Sequence, residues 1–555
     1  MTLTLRAGAA CLMLWAALPA QGQSFDELKN DAATPGDVLT YGMGYDLKRY
    51  STLGQITREN VGRLVPVWAY SLNDDRGQES FPLVHDGVMY VTTHKATMAV
   101  DALTGRQIWK TLHDYPAEAP RSACCGLVNR GVAIWNGKVY RGTIDAHVIA
   151  LDAKTGEEVW RTKLADFSTG YSITVAPLVA GGVLISGISG GEYGARLFLE
   201  GLDLETGKQL WRTYTIPGPG EPGFDTWADG GEAWKFGGGA TWLTGSYDPE
   251  LDTVYWGVGN AGPFNAGVRP GDNLYTGGMI AIEPKTGKIK WHYQFSPNDP
   301  FDYDGTNDMT LAEIDGRKVL MHADRNGFLY VIDRTNGELI AASQFVDKVN
   351  WASGIDLATG RPIETEVVKK ARAGEEVEVW PSAFGGKNWA PMAYDPATNT
   401  IFAHTFNWGM TYKAVEAQYR AGTFYLGAEY SWNWPEDNMR GYLRAIDPMT
   451  GKTKWKQGSR LPYWGGVLAT AGGVLFTGAL SGEFEAYDAA TGAKLWQFQT
   501  GSGIEGQPIT WEHEGRQYVA VTSGMGGGYA LYAGDEALAN MAAGGMLWTF
   551  ALPGE

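Results

Sequence analysis

The chain of 555 residues holds only 3 cysteines, and that scarcity excludes more than it allows. With Cys11 inside an N-terminal apolar run, Cys124 and Cys125 remain, so no thiolate zinc site can be completed and no disulfide framework can be built. No Cys-x-x-Cys-His is present, which removes covalent haem. The 8 histidines are scattered, and no Ser sits in a Gly-x-Ser-x-Gly elbow with a matched His and acid. Positive charge is in deficit, 45 Lys and Arg against 62 Asp and Glu, for a formal net charge of −17. That balance argues against nucleic acid and anionic membranes, and fits a cationic protein partner reached by electrostatic steering. Long apolar runs are missing as well: beyond the first residues no stretch approaches the ~20 apolar residues of a membrane span.

The N-terminus reads as a leader. Met1 to Gln23 carries one charge, Arg6, then an apolar run from Ala7 to Ala20, with small residues Ala20 and Gly22 at a cleavage point. This is the pattern of a secretory signal covering residues 1–23, and it implies a soluble exported protein. Losing Arg6 moves the formal charge from −17 to −18. No linker or composition break divides residues 24–555, which read as one domain.

Export changes the meaning of Ser122-Ala123-Cys124-Cys125-Gly126. Adjacent Cα atoms lie ~3.8 Å apart, below the usual disulfide span of roughly 4.4–6.8 Å, so a bridge here closes only a small ring. Such a bridge staples nothing, because stabilisation grows with the length of the closed loop. It is better read as a rigid apolar plate. Two buried free thiols are the alternative, and an oxidising compartment favours the bridge.

What is abundant is glycine, 75 residues, with 22 Trp and 27 Tyr, which suggests many strands and tight turns in one large all-β unit. Repetition sharpens this. Ala99-Val-Asp101-Ala-Leu-Thr104-Gly105-Arg-Gln-Ile-Trp109 recurs as Ala150 to Trp160, Gly201 to Trp211, Ala281 to Trp291, Ala445 to Trp455 and Ala486 to Trp496, with a degenerate copy from Val331 to Ala341. Each reads as a hairpin, with Asp bonding its own backbone, Gly supplying positive φ, and a Trp on the second strand. Most copies lie about 40–50 residues apart, the period of four-stranded propeller blades. Trp548 supplies an eighth site, so the expectation is an eight-bladed β-propeller. Pro66-Val-Trp68-Ala-Tyr repeats the last pattern near the N-terminus and could pair with the C-terminal blade to close the ring. Tyr247-Asp248-Pro249 and Tyr394-Asp395-Pro396 give added hairpin cues in the two longest gaps. Pro217 to Gly223 and Ile355 to Glu378 read as insertions near a rim.

Gly257-Val-Gly259-Asn-Ala-Gly262 matches the dinucleotide fingerprint but is followed by Pro263 and no helical periodicity, so it is set aside. The acidic positions are more informative. Gly190-Gly191-Glu192, Gly259-Asn260 and Phe301-Asp302-Tyr303-Asp304-Gly305 place oxygen ligands beside turns at corresponding places in different blades. Convergence at a propeller hub would suit a hard cation.

Together these features resemble the quinoprotein alcohol dehydrogenases, periplasmic methanol and ethanol dehydrogenases that use pyrroloquinoline quinone (PQQ). The likeness runs through residues 35–555, with the tryptophan-docking repeat and the vicinal-disulfide motif Cys124-Cys125-Gly126-Leu-Val-Asn129-Arg130. It implies PQQ sandwiched between the Cys124–Cys125 plate and Trp242, with Glu79, Arg130, Thr174, Ser189, Gly190 and Gly191 on its carboxylates and edge. Arg325, Asn388 and Trp464 would line the quinone rim. Glu192, Asn260, Asp302 and Asp304 would hold the metal, Asp302 would take the alcohol proton during hydride transfer, and Arg325 would be the second catalytic residue. Relatives of the calcium type usually carry a small uncharged residue where Asp304 stands, so the likeness is to the lanthanide-dependent branch. A trivalent ion suits the extra carboxylate, Ca²⁺ being the alternative. Asp304 also reads as a turn residue before Gly305.

The resemblance further implies primary alcohols as substrates, aldehydes as products and a soluble c-type cytochrome as electron acceptor, with a homodimer as a candidate assembly. Two departures bear on the pocket: Gly126 stands where the family usually has Asp, and Ser523-Gly-Met525-Gly-Gly-Gly-Tyr529 lacks a Trp that many relatives place over the substrate. The alternatives are a quinoprotein acting on sugars, polyols or aldehydes, and a non-enzymatic propeller scaffold.

Overall fold

Each docking repeat folds for a local reason. The Asp101 carboxylate accepts from the N–H groups of Leu103 and Thr104 at 3.0 and 2.9 Å, and Gly105 N–H donates to the Asp101 carbonyl at 2.9 Å. Gly105 has φ +69°, a conformation costly for a residue with a Cβ, and so turns the chain from Ala96–Asp101 into Gln107–Leu112. The Trp on that second strand reaches the next repeat. Trp109 Nε1 donates to the Ala153 carbonyl at 3.0 Å, and its ring lies so close to Gly156 that a Cβ there would meet indole Cε3 at 2.6 Å. The turn glycine is therefore required twice, by φ and by the neighbouring indole. Trp68 on Gly105, Trp160 on Gly207, Trp211 on Gly287, Trp291 on Gly337 and Trp455 on Gly492 repeat the contact. At the copy that ends in Ala341 there is no indole, and Gly451 meets Ser343 instead.

The computed structural model describes residues 23–228 and 232–554, so the expected leader lies outside the described residues except for Gln23. Among the described residues the strands form eight sheets of four or five strands, with two smaller sheets besides. The fold is an all-β propeller. A representative sheet is the antiparallel meander Leu83–His85, Val88–Thr92, Ala96–Asp101, Gln107–Leu112. Inner strands such as Thr253–Val258 are buried throughout, whereas outer ones such as Glu158–Lys163 alternate with solvent, which puts the apolar core between sheets and toward the hub. The N-terminal strand Val65–Ser71 pairs antiparallel with Met546–Ala551, Ala69 opposite Trp548, so the last sheet is completed by the first part of the chain.

Both hairpin cues in the long gaps begin sheets, Ser246–Asp248 and Ala393–Asp395. The segment from Ile355 to Glu378 adds a two-stranded hairpin and the helix Glu366–Arg372, capped by Thr365. It ends in Val377–Val379, which pairs with Gly409–Ala414 and through it with Ala428–Asn433. The glycine run from Gly257 leaves the strand Thr253–Val258 into a loop carrying Asn260, and the next element is the short turn Ala266–Val268.

The meander also decides where function can sit. In an up-and-down sheet the entry to strand one and the loop between strands two and three share one end, and the docking turns share the other. Glu79, Cys124, Thr174, Trp242, Asp302, Asn388 and Trp464 all lie in entries to a first strand, while Glu192, Asn260 and Arg325 lie in loops between strands two and three. Residues far apart in sequence are thus delivered to one face of the ring.

Candidate active site

The described residues enclose on that face a cavity of ≈ 170 Å³, with Cys124, Cys125 and Trp242 in its walls. Cys124 and Cys125 are bonded, their Cα atoms 3.8 Å apart. Trp242 is set by Thr241, whose N–H donates to the Ile188 carbonyl and whose hydroxyl accepts from Ile188 N–H. Its own Nε1 donates to Asp304 Oδ2 at 3.0 Å.

A polar chain runs along one wall. Arg130 Nη2 meets Glu79 Oε2 at 2.6 Å, its Nη1 donates to Thr174 Oγ1 at 2.8 Å, and Thr174 lies 3.2 Å from Ser189 Oγ. The guanidinium stands 4.9 Å from the ring centroids of both Trp242 and Trp389, a favourable placing for a cation over aromatic faces. Its Nε is buried without a partner. Burial pushes Glu79 above the ordinary carboxylate range, and Arg130 pulls it back only in part.

Also near the Trp242 ring, Arg325 bridges two carboxylates, Nη1 to Asp302 Oδ2 at 3.1 Å and Nη2 to Asp304 Oδ2 at 2.9 Å. Asp304 Oδ1 also accepts from Asn260 N–H at 2.5 Å. Burial opposes the charge on Arg325, but Asp304, Asp302 and Glu192 outweigh it and hold the guanidinium above its ordinary value. Glu192 is pushed up to about 7 by burial and by Asp304. Burial likewise raises Asp302 well above the usual range, against the pull of Arg325.

Every residue the sequence nominates lines this cavity except Gly191 and Asn260. Those two face each other, a Cβ on Gly191 falling 3.1 Å from Asn260 Oδ1. Glu192 brings an oxygen within 4.8 Å of both cysteine sulfurs, while Arg325 occupies the space between Asp302 and Asp304. Sequence reasoning missed Phe384, Trp389, Tyr430, Trp432 and Tyr532, which also line the cavity. Tyr430 and Trp432 arrive on the inserted strand Ala428–Asn433, and no repeat pattern marks them.

The donor set fits both groups that the resemblance implies. A cavity lined by a disulfide and an indole, with Arg130 over the indole, suits a flat polycarboxylate. Asn260 Oδ1 and Asp302 Oδ1 are buried without hydrogen-bond partners, and with Glu192 and Asp304 they offer hard oxygen ligands and no soft ones.

The chain matches the β-propeller domain of PQQ-dependent glucose, ethanol and alcohol dehydrogenases over residues 39–344 and 443–519. It is 42% identical to a quinoprotein ethanol dehydrogenase of Pseudomonas putida, across 98% of this chain and 94% of that protein. It is 40% identical to a 1-butanol dehydrogenase (quinone) of Thauera butanivorans, across 96% and 94%. Among solved structures, a europium-containing methanol dehydrogenase superposes with a TM-score of 0.90 at 38% identity, covering 95% of this chain and 100% of that one.

Proposed function

The chain belongs to the PQQ-dependent alcohol dehydrogenase family, and from that premise we propose that it oxidises primary alcohols to aldehydes in the periplasm and passes the electrons to a soluble c-type cytochrome. The observation that carries the reading is one cavity lined by both the Cys124–Cys125 disulfide and Trp242, with Asp302 held in the same lining by Arg325. When bound, PQQ accepts the hydride and a metal ion polarises its carbonyl. Arg130, with Thr174 and Glu79 ordering its fork, would bind a carboxylate of the quinone. Glu192, Asn260, Asp302 and Asp304 would hold the metal, and the four-ligand set with three carboxylates favours a lanthanide(III) ion over Ca²⁺. Arg325 fixes Asp302 through Oδ2, and the Asp302 carboxylate would take the alcohol proton. Phe384, Trp432 and Tyr532 complete the aromatic lining of the cavity. Among the described residues no helix is long and apolar enough to cross a membrane.

The test is reconstitution with PQQ and either La³⁺ or Ca²⁺, followed by dye-linked oxidation across primary alcohols, sugars and polyols. Alcohol-dependent dye reduction supports the reading. No quinone binding and no alcohol oxidation would overturn it, and a preference for sugars would move the substrate class.

A further inference from the structure

We infer that Glu505 is a positioning residue of the quinone pocket, held as an uncharged acid that pins the Gly526–Gly528 turn over the disulfide and keeps a second negative charge away from the Glu79–Arg130 pair. The part about the quinone rests on the function proposed above, whereas the part about the proton does not.

Glu505 lies in Ser502-Gly-Ile-Glu505-Gly, the entry to the eighth sheet, and its side chain is fully buried. Its Oε1 accepts from Gly526 N–H at 3.1 Å. Its Oε2 is buried without a hydrogen-bond partner. The two acids crowd one point: a Cβ on Gly527 would stand 2.8 Å from Glu79 Oε1, 3.1 Å from Trp464 Nε1 and 3.3 Å from Glu505 Oε2. Trp464 and Glu79 are both cavity residues, so Glu505 sits directly behind the wall. Gly528 then carries the turn onto the plate, a Cβ there falling 3.8 Å from Cys125 Cβ.

The charged groups facing Glu505 are Glu79, from the entry to the first sheet, and Arg130, from the loop after the disulfide. Arg130 already directs Nη2 to Glu79 and Nη1 to Thr174. An ionised Glu505 would therefore be a buried charge with no cation of its own and a single N–H donor, the least favourable state of a carboxylate. Burial, then Glu79, push it well above the ordinary range. The neutral acid removes the charge and places an O–H donor at Oε2, beside Glu79. Arg130 and Glu79 then cancel, and the pocket accepts an anionic quinone without a further negative charge beneath it.

Infrared difference spectra of the full chain at neutral pH, without quinone, compare wild type with Glu505→Gln. A protonated-carboxyl stretch present in wild type and absent in the variant is expected, and its absence from wild type overturns the inference. Glu505→Leu, which also deletes the acid without adding charge, replaces Glu505→Gln should that variant fail to fold. The second arm titrates PQQ by tryptophan quenching from neutral to alkaline pH. Wild type should lose at least about tenfold in affinity as Glu505 ionises, the scale of one added charge ~10 Å away at an effective dielectric of ~20, and the variant should not. Lys387, pushed down to about 8 by burial, titrates in both proteins and cancels in the comparison. Parallel pH profiles overturn the positioning role. A wild type that shows the acid stretch yet binds no PQQ at any pH overturns the quinone reading and leaves the protonated Glu505 standing.

Discussion

Gly126 is packed against Gly527: a Cβ on Gly126 would come within 3.1 Å of Gly527 Cα and 3.2 Å of its nitrogen. With φ +106°, Gly126 is also in a region that side chains avoid. The residue after the cysteine pair is thus small because the short helix Gly527–Tyr532 lies over the plate. Gly126→Asp, which restores the family's usual residue, should destabilise the protein by about 1–3 kcal/mol from the backbone alone, and weaken PQQ binding by lifting that helix. Denaturant unfolding and quinone titration measure the two effects. A variant as stable as wild type would show that the helix yields at no cost.

Trp242 lines the cavity and anchors Asp304 through Nε1. Trp242→Ala should weaken PQQ binding by about tenfold to a hundredfold, roughly 1.4–2.8 kcal/mol, through lost stacking and the freed carboxylate. Unchanged quinone affinity in equilibrium dialysis would remove Trp242 from the sandwich.

Asp304 is held by three donors, Trp242 Nε1, Asn260 N–H and Arg325 Nη2, so it is ordered before any cation arrives. Activity is expected with La³⁺ or Ce³⁺ and little with Ca²⁺ alone. Asp304→Ala should abolish the lanthanide response while the fold persists, and terbium luminescence of the resting protein reports the same loss without turnover. Full activity of metal-stripped enzyme with Ca²⁺, unaltered by the substitution, would refute the assignment.

Acidic surface charge, −17 over the whole sequence, should steer a basic cytochrome. Its reduction rate is expected to fall steeply as salt rises, because exposed charges are screened beyond ~8 Å at physiological ionic strength. A rate indifferent to salt would rule out steering.

Acid should destabilise the propeller through two histidines. Burial holds His404 at about 3 and His113 at about 2. His404 Nδ1 donates to the Gly465 carbonyl at 2.8 Å, and the ring stacks on Tyr463. Both stay neutral when folded but take up a proton when unfolded below about pH 6.5, so their contribution is complete above that value and declines toward pH ~3 by up to about 1.4 kcal/mol per unit each. In His404→Gln the slope of unfolding free energy against pH, between about 6 and 4, should flatten by up to that amount. Identical slopes would mean that His404 is protonated in the fold.

The docking repeats made the fold readable because each couples a local turn to a distant contact. Asp101 and Gly105 announce the hairpin, and Trp109 announces the neighbour it will stand on. Even the copy ending in Ala341 kept enough turn chemistry to be found. The site was readable where unusual chemistry is local, as at Cys124-Cys125 and Asp302-Tyr303-Asp304. It was opaque where loops meet only after the ring forms. Nothing in Phe384 or Tyr430 signals a cavity wall, and Glu505 shows in sequence only as a charge between Ile504 and Gly506. Nor could residue order tell that Arg325 would lie between Asp302 and Asp304.

The pairing of Val65–Ser71 with Met546–Ala551 makes assembly a matter of timing. During synthesis the first strand emerges long before its partner exists, so this pairing forms late. Because Met546–Ala551 lies between Val65–Ser71 and Arg516–Ser523, losing only the final strand uncovers two unpaired edges at once. A chain lacking Met546–Ala551 would thus carry exposed strand edges, which invite pairing with other chains.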